Sequence, residues 1–186
     1  DDLVISIKSS DVVTTYQANM RFAELYSYPL HLGVTEAGAM MSGIIRSSVG
    51  IGGLLLNGIG ETIRVSLTGD PVQEIVAAKE ILSACNLRNE GIRIVSCPTC
   101  GRCKTDILSI VTQIKEQTAN IKTPLVVAVM GCGVNGPGEA READLGVACG
   151  DGKGVLFKKG EIVATVAAED IVQILLDEIA DMVVQK

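Results

Sequence analysis

The sequence predicts an α/β protein, and three observations support this prediction. Short apolar runs typical of β-strands alternate along the chain with helical patterns. Successive long runs begin roughly 30 residues apart, which is the length of one strand-helix unit. Hydrophobic residues make up 47% of the 186 residues and charged residues 20%, as in globular proteins that bury a sizeable core. Extensive disorder is therefore excluded.

Seven apolar runs are predicted to be strands. The five main ones lie at Leu3–Ile7, Leu30–Val34, Thr62–Leu67, Ile92–Ser96 and Leu125–Met130. Two shorter runs, Val155–Lys158 and Ile162–Val166, flank a Lys-Gly turn and therefore predict a β-hairpin. Helical patterns fill most of the gaps between the main strands.

Three helices have clear signals in the sequence. Asp70 followed by Pro71 is typical of a helix N-cap and first turn. The apolar side of this helix is predicted to consist of Val72, Ile75, Val76 and Leu82. Two further helices show the i, i+3, i+4 spacing of an amphipathic helix. Their apolar positions are Ile107, Ile110, Val111 and Ile114 in one, and Ile171, Ile174, Leu175 and Met182 in the other.

Composition excludes several classes of function. The net charge of −6 and the isoelectric point near 4.8 disfavour binding to nucleic acid, whose phosphate backbone attracts basic surfaces. The chain has no Trp, and its single histidine, His31, excludes a multi-histidine metal site. No apolar stretch reaches the roughly 18 residues of a membrane-spanning helix, and no signal-peptide pattern is present. We therefore expect a cytoplasmic protein that binds neither nucleic acid nor membrane.

The six cysteines are the most informative residues. In a chain of this kind, Cys-x-x-Cys motifs indicate metal binding or redox chemistry more often than structural disulfides. The run Cys97-Pro-Thr-Cys100-Gly-Arg-Cys103 contains two overlapping motifs, with a spacing that suits iron or zinc. A third element is Cys132, in a loop rich in Gly and Pro whose backbone N–H groups can bond to sulfur. Cys85 and Cys149 are expected to fill the core.

Polar and charged residues follow or alternate along the first three predicted strands. They include Lys8 after the first strand, Glu36 after the second, and Arg64 and Ser66 along the third. Ligands of parallel sheets and barrels bind at the carboxyl ends of strands, and a Lys, an Arg and a Ser gathered there would suit a phosphate or diphosphate. The alternative is a solvated or salt-bridged surface. His31, within an apolar strand, is interpreted as an interior residue rather than a catalyst.

Five segments carry a resemblance to a known family. They are Ile7–Asp11 (IKSSD), His31–Gly38 (HLGVTEAG), Arg64–Leu67 (RVSL), Cys97–Arg102 (CPTCGR) and Gly131–Ala140 (GCGVNGPGEA). In this order they resemble the C-terminal half of the IspG/GcpE family of 4-hydroxy-3-methylbut-2-enyl diphosphate synthases. The resemblance covers essentially the whole chain, and the last motif is highly specific.

The resemblance implies a TIM barrel followed by a small α/β domain that carries one four-iron, four-sulfur (4Fe-4S) cluster. It implies an oxidoreductase that opens 2-C-methyl-D-erythritol 2,4-cyclodiphosphate by a two-electron reductive dehydroxylation. The product is 4-hydroxy-3-methylbut-2-enyl diphosphate, in the methylerythritol phosphate route to isoprenoids. Flavodoxin or ferredoxin would donate the electrons, and the full-length enzyme would be a homodimer.

The resemblance also implies roles for individual residues. The implied cluster ligands are Cys97, Cys100, Cys132 and Glu139, and the implied substrate contacts are Lys8, Arg64, Ser66 and Asn135. A carboxylate ligand such as Glu139 leaves more readily than a thiolate, so that substrate oxygen can bind the iron it vacates. Glu36 resembles an acid that supplies a proton to the departing hydroxyl. Glu36 and Glu139 are therefore the expected catalytic residues.

Two features depart from the family pattern. Cys103 would complete a ferredoxin-like Cys-x-x-Cys-x-x-Cys run, but the family does not use this position as a ligand. The chain also begins at what resembles the sixth barrel strand, so residues 1–88 are expected to form the last three βα units and residues 89–186 the cluster domain. Three of eight strands cannot close a barrel. We therefore expect the isolated chain to hold a cluster but to be nearly inactive.

Two alternatives belong to other classes of protein. A zinc-stabilised binding module would use Cys97, Cys100 and Cys132, with Cys149, as structural ligands, but the spacing of these cysteines is unlike that of zinc ribbons. A ferredoxin-like electron carrier would use Cys103 as a ligand. It would leave Glu36 and Arg64 without a role.

Overall fold

The computed structural model describes residues 2–133, 136–139 and 141–184, apart from the side chains of Pro137 and Glu139. The chain divides into two compact units, Asp1–Asn89 and Glu90–Lys186. Both units combine strands with helices, so the α/β class expected from the sequence is confirmed. No helix in the described ranges is long and apolar enough to span a bilayer.

The first unit is built on three backbone segments that run parallel to one another. The first segment forms a single bridge between Ile5 and Leu30. The second contains β1 (His31–Leu32), which pairs in parallel with β2 (Thr62–Ile63) of the third segment. Each segment leads into a helix, in the order α1 (Val12–Leu25), α2 (Met40–Leu56) and α3 (Pro71–Ala84).

Regular pairing in this unit is shorter than the sequence predicts. The predicted strand at 3–7 contains only the bridge at Ile5, and those at 30–34 and 62–67 are reduced to two residues each. Backbone bonds continue beyond β1 and β2, because Arg64 N–H donates to Leu32 O at 2.8 Å. Among the described residues, the first and third segments have a neighbouring segment on one side only. Half of their backbone groups therefore have no strand to pair with, and the regular pairing stays short.

Helix α3 begins where the sequence predicts but packs with a different side. Asp70 caps the helix by accepting a hydrogen bond from Val72 N–H at 2.9 Å, and Pro71 occupies the first turn. The predicted core positions Val72, Ile75 and Val76 are 60%, 57% and 48% exposed. The predicted apolar side is therefore wrong at these three positions.

The rotation of α3 follows from Glu74. Its carboxylate accepts a hydrogen bond from Leu67 N–H at 2.8 Å, which turns this side of the helix toward the parallel segments. Ala77 and Ile81, three and seven positions further along, are then buried. The sequence pattern favoured the side with the larger side chains, whereas the side that packs carries alanines.

The core of the first unit lies between the parallel segments and the helices. Its buried apolar residues are Leu30, Leu32, Ile51, Leu54, Leu55, Val65, Ala77 and Ile81. Side chains alternate between the two faces of an extended chain. The opposite face is polar. It carries His31, which lies between Leu30 and Leu32, and Arg64 and Ser66, which flank Val65.

The second unit contains a five-stranded sheet. Its strands, in spatial order, are β3 (Ile92–Ser96), β4 (Leu125–Met130), β5 (Leu145–Cys149), β6 (Lys153–Lys158) and β7 (Glu161–Ala167). The first three are parallel, and β6 and β7 are antiparallel. The predicted strands at 92–96 and 125–130 and the predicted hairpin are confirmed. Strand β5 was not predicted, because its run Leu-Gly-Val-Ala-Cys is short and contains Gly and Ala, which are depleted in strands.

Helices cover one face of this sheet. They are α4 (Ile107–Thr118) and α6 (Ile171–Val184), the latter preceded by a short 3₁₀ turn at Ala168–Asp170, and the brief helix α5 (Gly136–Glu139) follows β4. The predicted amphipathic helices are confirmed as α4 and α6, and both bury their predicted positions against the sheet. On the other face, a smaller cluster contains Ala128, Met130, Ala148 and Phe157, with Cys97 packed against it.

Candidate functional site

Three of the cysteines surround one cavity in the second unit. The cavity has a volume of about 530 Å³ and is lined by Cys97, Pro98, Cys100, Gly101, Arg102, Met130, Cys132 and Gly136. Cys100 is exposed, and Cys97 and Cys132 are half-buried. The structure therefore brings together the three cysteines that the sequence predicts as metal ligands. The sequence analysis gave no role to Arg102, which lies within the cysteine motif, or to Met130, which ends β4.

The sheet topology explains why these cysteines meet. Cys97 directly follows β3, and Cys132 lies two residues beyond β4. The two strands are parallel neighbours, with Ser96 opposite Val129. Their carboxyl ends therefore lie at the same edge of the sheet, which is where ligands of α/β proteins bind.

Gly131 is hydrogen-bonded to one of these cysteines. Its N–H donates to Cys97 Sγ at 3.1 Å. A Cβ atom at this position would stand 2.6 Å from Cys103 Sγ and 3.4 Å from Cys97 Sγ, so only glycine fits without moving a sulfur atom. N–H···S bonds of this kind orient a metal-binding thiolate and tune an iron-sulfur cluster. The sequence predicted backbone donors from this loop but did not single out Gly131.

The remaining cysteines lie outside the cavity lining. Cys103 Sγ donates a hydrogen bond to Thr105 O at 3.1 Å and packs against the core beneath α4 and α6. Cys149 is fully buried in that core. Burial, followed by the neighbouring Cys103 and Cys97, raises the pKa of Cys149 to about 11, so this thiol is neutral at neutral pH. Cys85 packs against the core of the first unit.

The end of the cysteine motif is fastened to the turn between β5 and β6. Lys104 Nζ forms an ion pair with Asp151 at 3.0 Å, and Thr105 Oγ1 donates to Gly150 O at 3.4 Å. Within the motif, Cys103 N–H closes a tight turn by donating to the carbonyl three residues earlier, at 2.9 Å. The loop is therefore held at its start by β3 and at its end by these bonds.

Two predicted residues of this site lie outside the described parts of the structure, namely Asn135 and the side chain of Glu139. The backbone of Glu139 ends α5, whose first residue, Gly136, lines the cavity and donates its N–H to Cys132 O at 3.2 Å. Among the described side chains, no three from Cys, His, Asp and Glu converge closely enough to bind a single metal ion. Soft thiolates spaced around an open cavity fit an iron-sulfur cluster, in which the thiolates bind different iron atoms.

The polar face of the first unit brings two predicted anion-binding residues together. Gly33 lies between them: a Cβ atom there would stand 2.8 Å from the backbone oxygen of Arg64 and 2.9 Å from Cε of the Lys8 side chain. Burial, followed by the charge of Arg64, lowers the pKa of Lys8. Within the described residues, no carboxylate lies at ion-pairing distance from either cation. Ser66, two residues beyond Arg64, is half-buried.

Further polar side chains accompany these cations. Lys8 Nζ donates to Ser6 Oγ, and Ser6 Oγ donates to His31 O at 3.4 Å. His31 Nδ1 lies 2.8 Å from Thr62 Oγ1. The sequence interpretation of His31 as an interior residue is therefore only partly right. The side chain is half-buried but lies on the polar face, because its neighbour Leu32 faces the core.

Glu36 lies in the turn that follows β1 and is exposed. Its φ of 52° falls in the left-handed region, which residues other than glycine adopt at some cost and often at functional sites. A hydrogen bond from Thr35 N–H to Ser9 O, at 3.0 Å, holds this turn beside the end of the first segment. Glu36 and Lys8 therefore both stand near the carboxyl ends of neighbouring parallel segments.

Comparison with known protein families gives two matches along the chain. Residues 1–79 match the GcpE TIM-barrel domain, and residues 93–181 match the GcpE protein C-terminal domain. The chain belongs to the GcpE family. The resemblance that the sequence motifs carry is thereby confirmed.

Several curated relatives in this family are similar to nearly the whole chain, and each is named 4-hydroxy-3-methylbut-2-en-1-yl diphosphate synthase (flavodoxin). The protein from Caldanaerobacter subterraneus subsp. tengcongensis is 54% identical over 182 residues, which are 98% of this chain and 51% of the relative. Those from Geobacter sulfurreducens and Brevibacillus brevis are each 52% identical, over 186 and 183 residues. These alignments cover 100% and 98% of the chain and 53% and 51% of the relatives. The chain thus spans about half the length of the curated relatives it matches.

Proposed function

We propose that the chain supplies about half of a 4-hydroxy-3-methylbut-2-enyl diphosphate synthase. The reaction would be the reductive ring opening and dehydroxylation of 2-C-methyl-D-erythritol 2,4-cyclodiphosphate, in the methylerythritol phosphate route to isoprenoids. It consumes two electrons and a proton, and one oxygen atom leaves as water. The observation that carries this proposal is the cavity around which Cys97, Cys100 and Cys132 lie, in the unit that matches the family's C-terminal domain.

The two units would have different tasks. Residues 1–88 would form the last three βα units of a TIM barrel that binds the substrate. Support comes from the three parallel segments of the first unit, each followed by a helix. Residues 89–186 would form the iron-sulfur domain, and support for this comes from the cysteine cavity at the sheet edge.

The cofactor of the second unit would be one 4Fe-4S cluster. Cys97, Cys100 and Cys132 would hold it by their thiolates, with Glu139 as the fourth ligand. When bound, the cluster supplies the electrons that break the carbon–oxygen bond. The Gly131 N–H that donates to Cys97 Sγ would stabilise that thiolate. The Glu139 carboxylate is a harder and more labile ligand than a thiolate, so it would leave one position open for exchange.

The residues of the first unit would bind the substrate and deliver a proton. Lys8 and Arg64 would hold the diphosphate by charge-assisted hydrogen bonds, as expected for adjacent cations without a carboxylate partner among the described residues. The Ser66 hydroxyl would donate a further bond. Glu36 would protonate the departing hydroxyl, and Asn135 would contact the substrate beside the cluster.

The reaction would need two partners, namely the cyclic diphosphate, which is a small molecule, and a protein that donates electrons. Flavodoxin or ferredoxin would deliver the electrons, and the relatives' name, which includes flavodoxin, supports the first. The full-length enzyme would be a cytoplasmic homodimer. Binding to nucleic acid or to a membrane is not part of this proposal, in keeping with the net charge of −6.

Anaerobic purification, followed by reconstitution with iron and sulfide, tests the cofactor. The expected result is a brown protein that contains iron and acid-labile sulfide in equal amounts. A colourless protein that retains zinc, and takes up neither iron nor sulfide, would instead identify a zinc-stabilised binding module.

Matched variants then separate ligands from neighbours. Cys97→Ser is expected to abolish cluster binding, and Glu139→Ala is expected to weaken retention of the cluster. Cys103→Ser is the control, because this sulfur lies outside the cavity lining and bonds to Thr105 O. Full retention in Glu139→Ala together with loss in Cys103→Ser would favour a ferredoxin-like carrier and contradict the proposal.

A further inference from the structure

The single histidine of the chain stands beside the two cations of the proposed anion site. His31 and Gly33 are two residues apart in an extended segment and so share its polar face. Gly33 lies against the side chain of Lys8 and the backbone of Arg64. The Ser6 hydroxyl accepts a bond from Lys8 and donates one to the backbone carbonyl of His31. The charged groups that act on the imidazole are Lys8 and Arg64. The proposed function leaves this residue without a role.

The hydrogen bond to Thr62 fixes one nitrogen of the ring without fixing its charge. His31 Nδ1 lies 2.8 Å from Thr62 Oγ1. A hydroxyl can donate to a bare Nδ1 or accept from a protonated one, so this bond survives in either state of the imidazole. In the described part of the chain, Nε2 has no hydrogen-bond partner. The geometry therefore leaves Nε2 available to gain or lose a proton and to bind a ligand.

The local charges determine which state the free chain adopts. Burial, followed by the positive charges of Lys8 and Arg64, lowers the pKa of His31 below its usual value. These effects therefore favour the uncharged imidazole over the protonated one in the free chain. An anion bound between the two cations would cancel or outweigh their positive charge at the ring, and a nearby negative charge favours the protonated imidazole.

We propose that His31 is a further binding residue of this site, which takes up a proton when a diphosphate binds between Lys8 and Arg64 and becomes the third cation that holds it. This inference rests on the proposed diphosphate site. It adds that anion binding is coupled to proton uptake at one named atom, Nε2 of His31, while Thr62 keeps the ring in place.

The sign of the coupling follows from linkage. Because the anion-bound form holds the proton more tightly than the free form, binding is strongest at low pH. It weakens as pH rises through the interval between the titration midpoints of the free and bound forms. Above that interval, His31 is neutral in both states and binding depends on Lys8 and Arg64 alone.

Nuclear magnetic resonance of the unsubstituted chain tests this directly, since one histidine gives one set of imidazole signals. The titration midpoint of His31 would be measured in sodium chloride, in sulfate and in pyrophosphate at equal ionic strength. Sulfate serves as the probe whose own charge is constant over the range. We expect a higher midpoint in both sulfate and pyrophosphate than in chloride, and no such difference in the double variant Lys8→Gln/Arg64→Gln.

Calorimetry with His31→Gln supplies a second measurement. The unsubstituted chain is expected to bind sulfate at least about fivefold more tightly near pH 5.5 than near pH 8, whereas the variant binds with little pH dependence. If both anions bind but leave the His31 midpoint unchanged, the inference about His31 fails and the diphosphate site stands. If neither anion binds, the diphosphate site fails, and the inference fails with it.

Discussion

The two units of the chain differ in how completely they cover their apolar side chains. Of the 19 large apolar side chains that are exposed among the described residues, 15 belong to the first unit and four to the second. The first unit has a two-stranded sheet, with one additional bridged segment on one side of it. The second unit has five strands, and α4 and α6 pack against one face of its sheet.

This difference shows that strand-helix alternation is not sufficient for a closed core. In the second unit, the antiparallel hairpin completes the sheet beside β5, and two helices cover it. In the first unit, a similar series of segments and helices leaves apolar groups of α2 and α3 in solvent, such as Met41 and Ile75. Exposed apolar surface of this extent is typical of a face that another part of a protein covers.

The largest expected effect concerns catalysis. The reconstituted chain, assayed with the cyclic diphosphate and a strong reductant, is expected to turn over at least about 1000-fold more slowly than a full-length relative, because the open first unit positions the substrate poorly. The assay measures product formation, with the protein from Geobacter sulfurreducens as the control. A rate within about tenfold of that control would contradict this expectation, and would mean that the first unit binds the substrate without additional strands.

A second effect concerns local stability. Amide protons of β4 are expected to exchange with solvent at least about 100-fold more slowly than those of β1 and β2. The reason is that β4 is a six-residue strand paired on both sides, whereas β1 and β2 pair with each other over two residues only. Hydrogen exchange read by mass spectrometry measures this ratio. Equal protection at low protein concentration would show that the first unit is stable by itself. Protection that appears only at high concentration would instead indicate association between chains.

A third effect tests the packing around the cysteine cavity. Gly131→Ala is expected to reduce the free energy of unfolding by about 1–3 kcal/mol and to weaken cluster retention, because the new Cβ meets Cys103 Sγ. Urea denaturation and iron content measure the two effects. Gly133→Ala is the matched control, since no atom of the described residues lies within 4 Å of a Cβ there. Equal losses in the two variants would show that the contact with Cys103 is not the cause.

The smallest expected effect tests what sets the rotation of α3 in the first unit. Glu74→Ala removes the acceptor of Leu67 N–H, and we expect a loss of about 1 kcal/mol in the free energy of unfolding. Glu80→Ala, at an exposed position of the same helix, is the control and is expected to change stability by less than about 0.5 kcal/mol. Thermal denaturation would measure both. Identical stabilities would show that side-chain packing alone determines the rotation.

Local patterns were sufficient to predict most of the second unit. Strands β3 and β4 match their predicted bounds, because each is an apolar run with clear ends. The grouping of Cys97, Cys100 and Cys132 was expected only from the resemblance to the family, and the parallel pairing of β3 with β4 supplies its structural reason. Strand β5 was missed because its run Leu-Gly-Val-Ala-Cys contains Gly and Ala, which are depleted in strands, whereas β4 is a longer run rich in Val.

Local patterns failed where a distant contact decides the structure. The buried side of α3 depends on the bond between Glu74 and Leu67, which apolar periodicity does not reveal. The position of His31 depends on Thr62, which lies 31 residues away in the chain. The need for glycine at 131 depends on a sulfur atom from another loop. The ligand role of Glu139 and the contact by Asn135 stay predictions, since neither side chain is described.

The bonds at the end of the cysteine motif have a consequence for how the metal centre is assembled. Because β3 fixes the start of the loop and the bond from Thr105 to Gly150 O fixes its end, both ends of the loop are set when the sheet folds rather than when iron arrives. Loading then acts mainly on the side chains of Cys97, Cys100 and Cys132. We therefore expect the second unit to fold first and to accept iron and sulfide afterwards, unlike small zinc domains, in which metal binding and folding are one event.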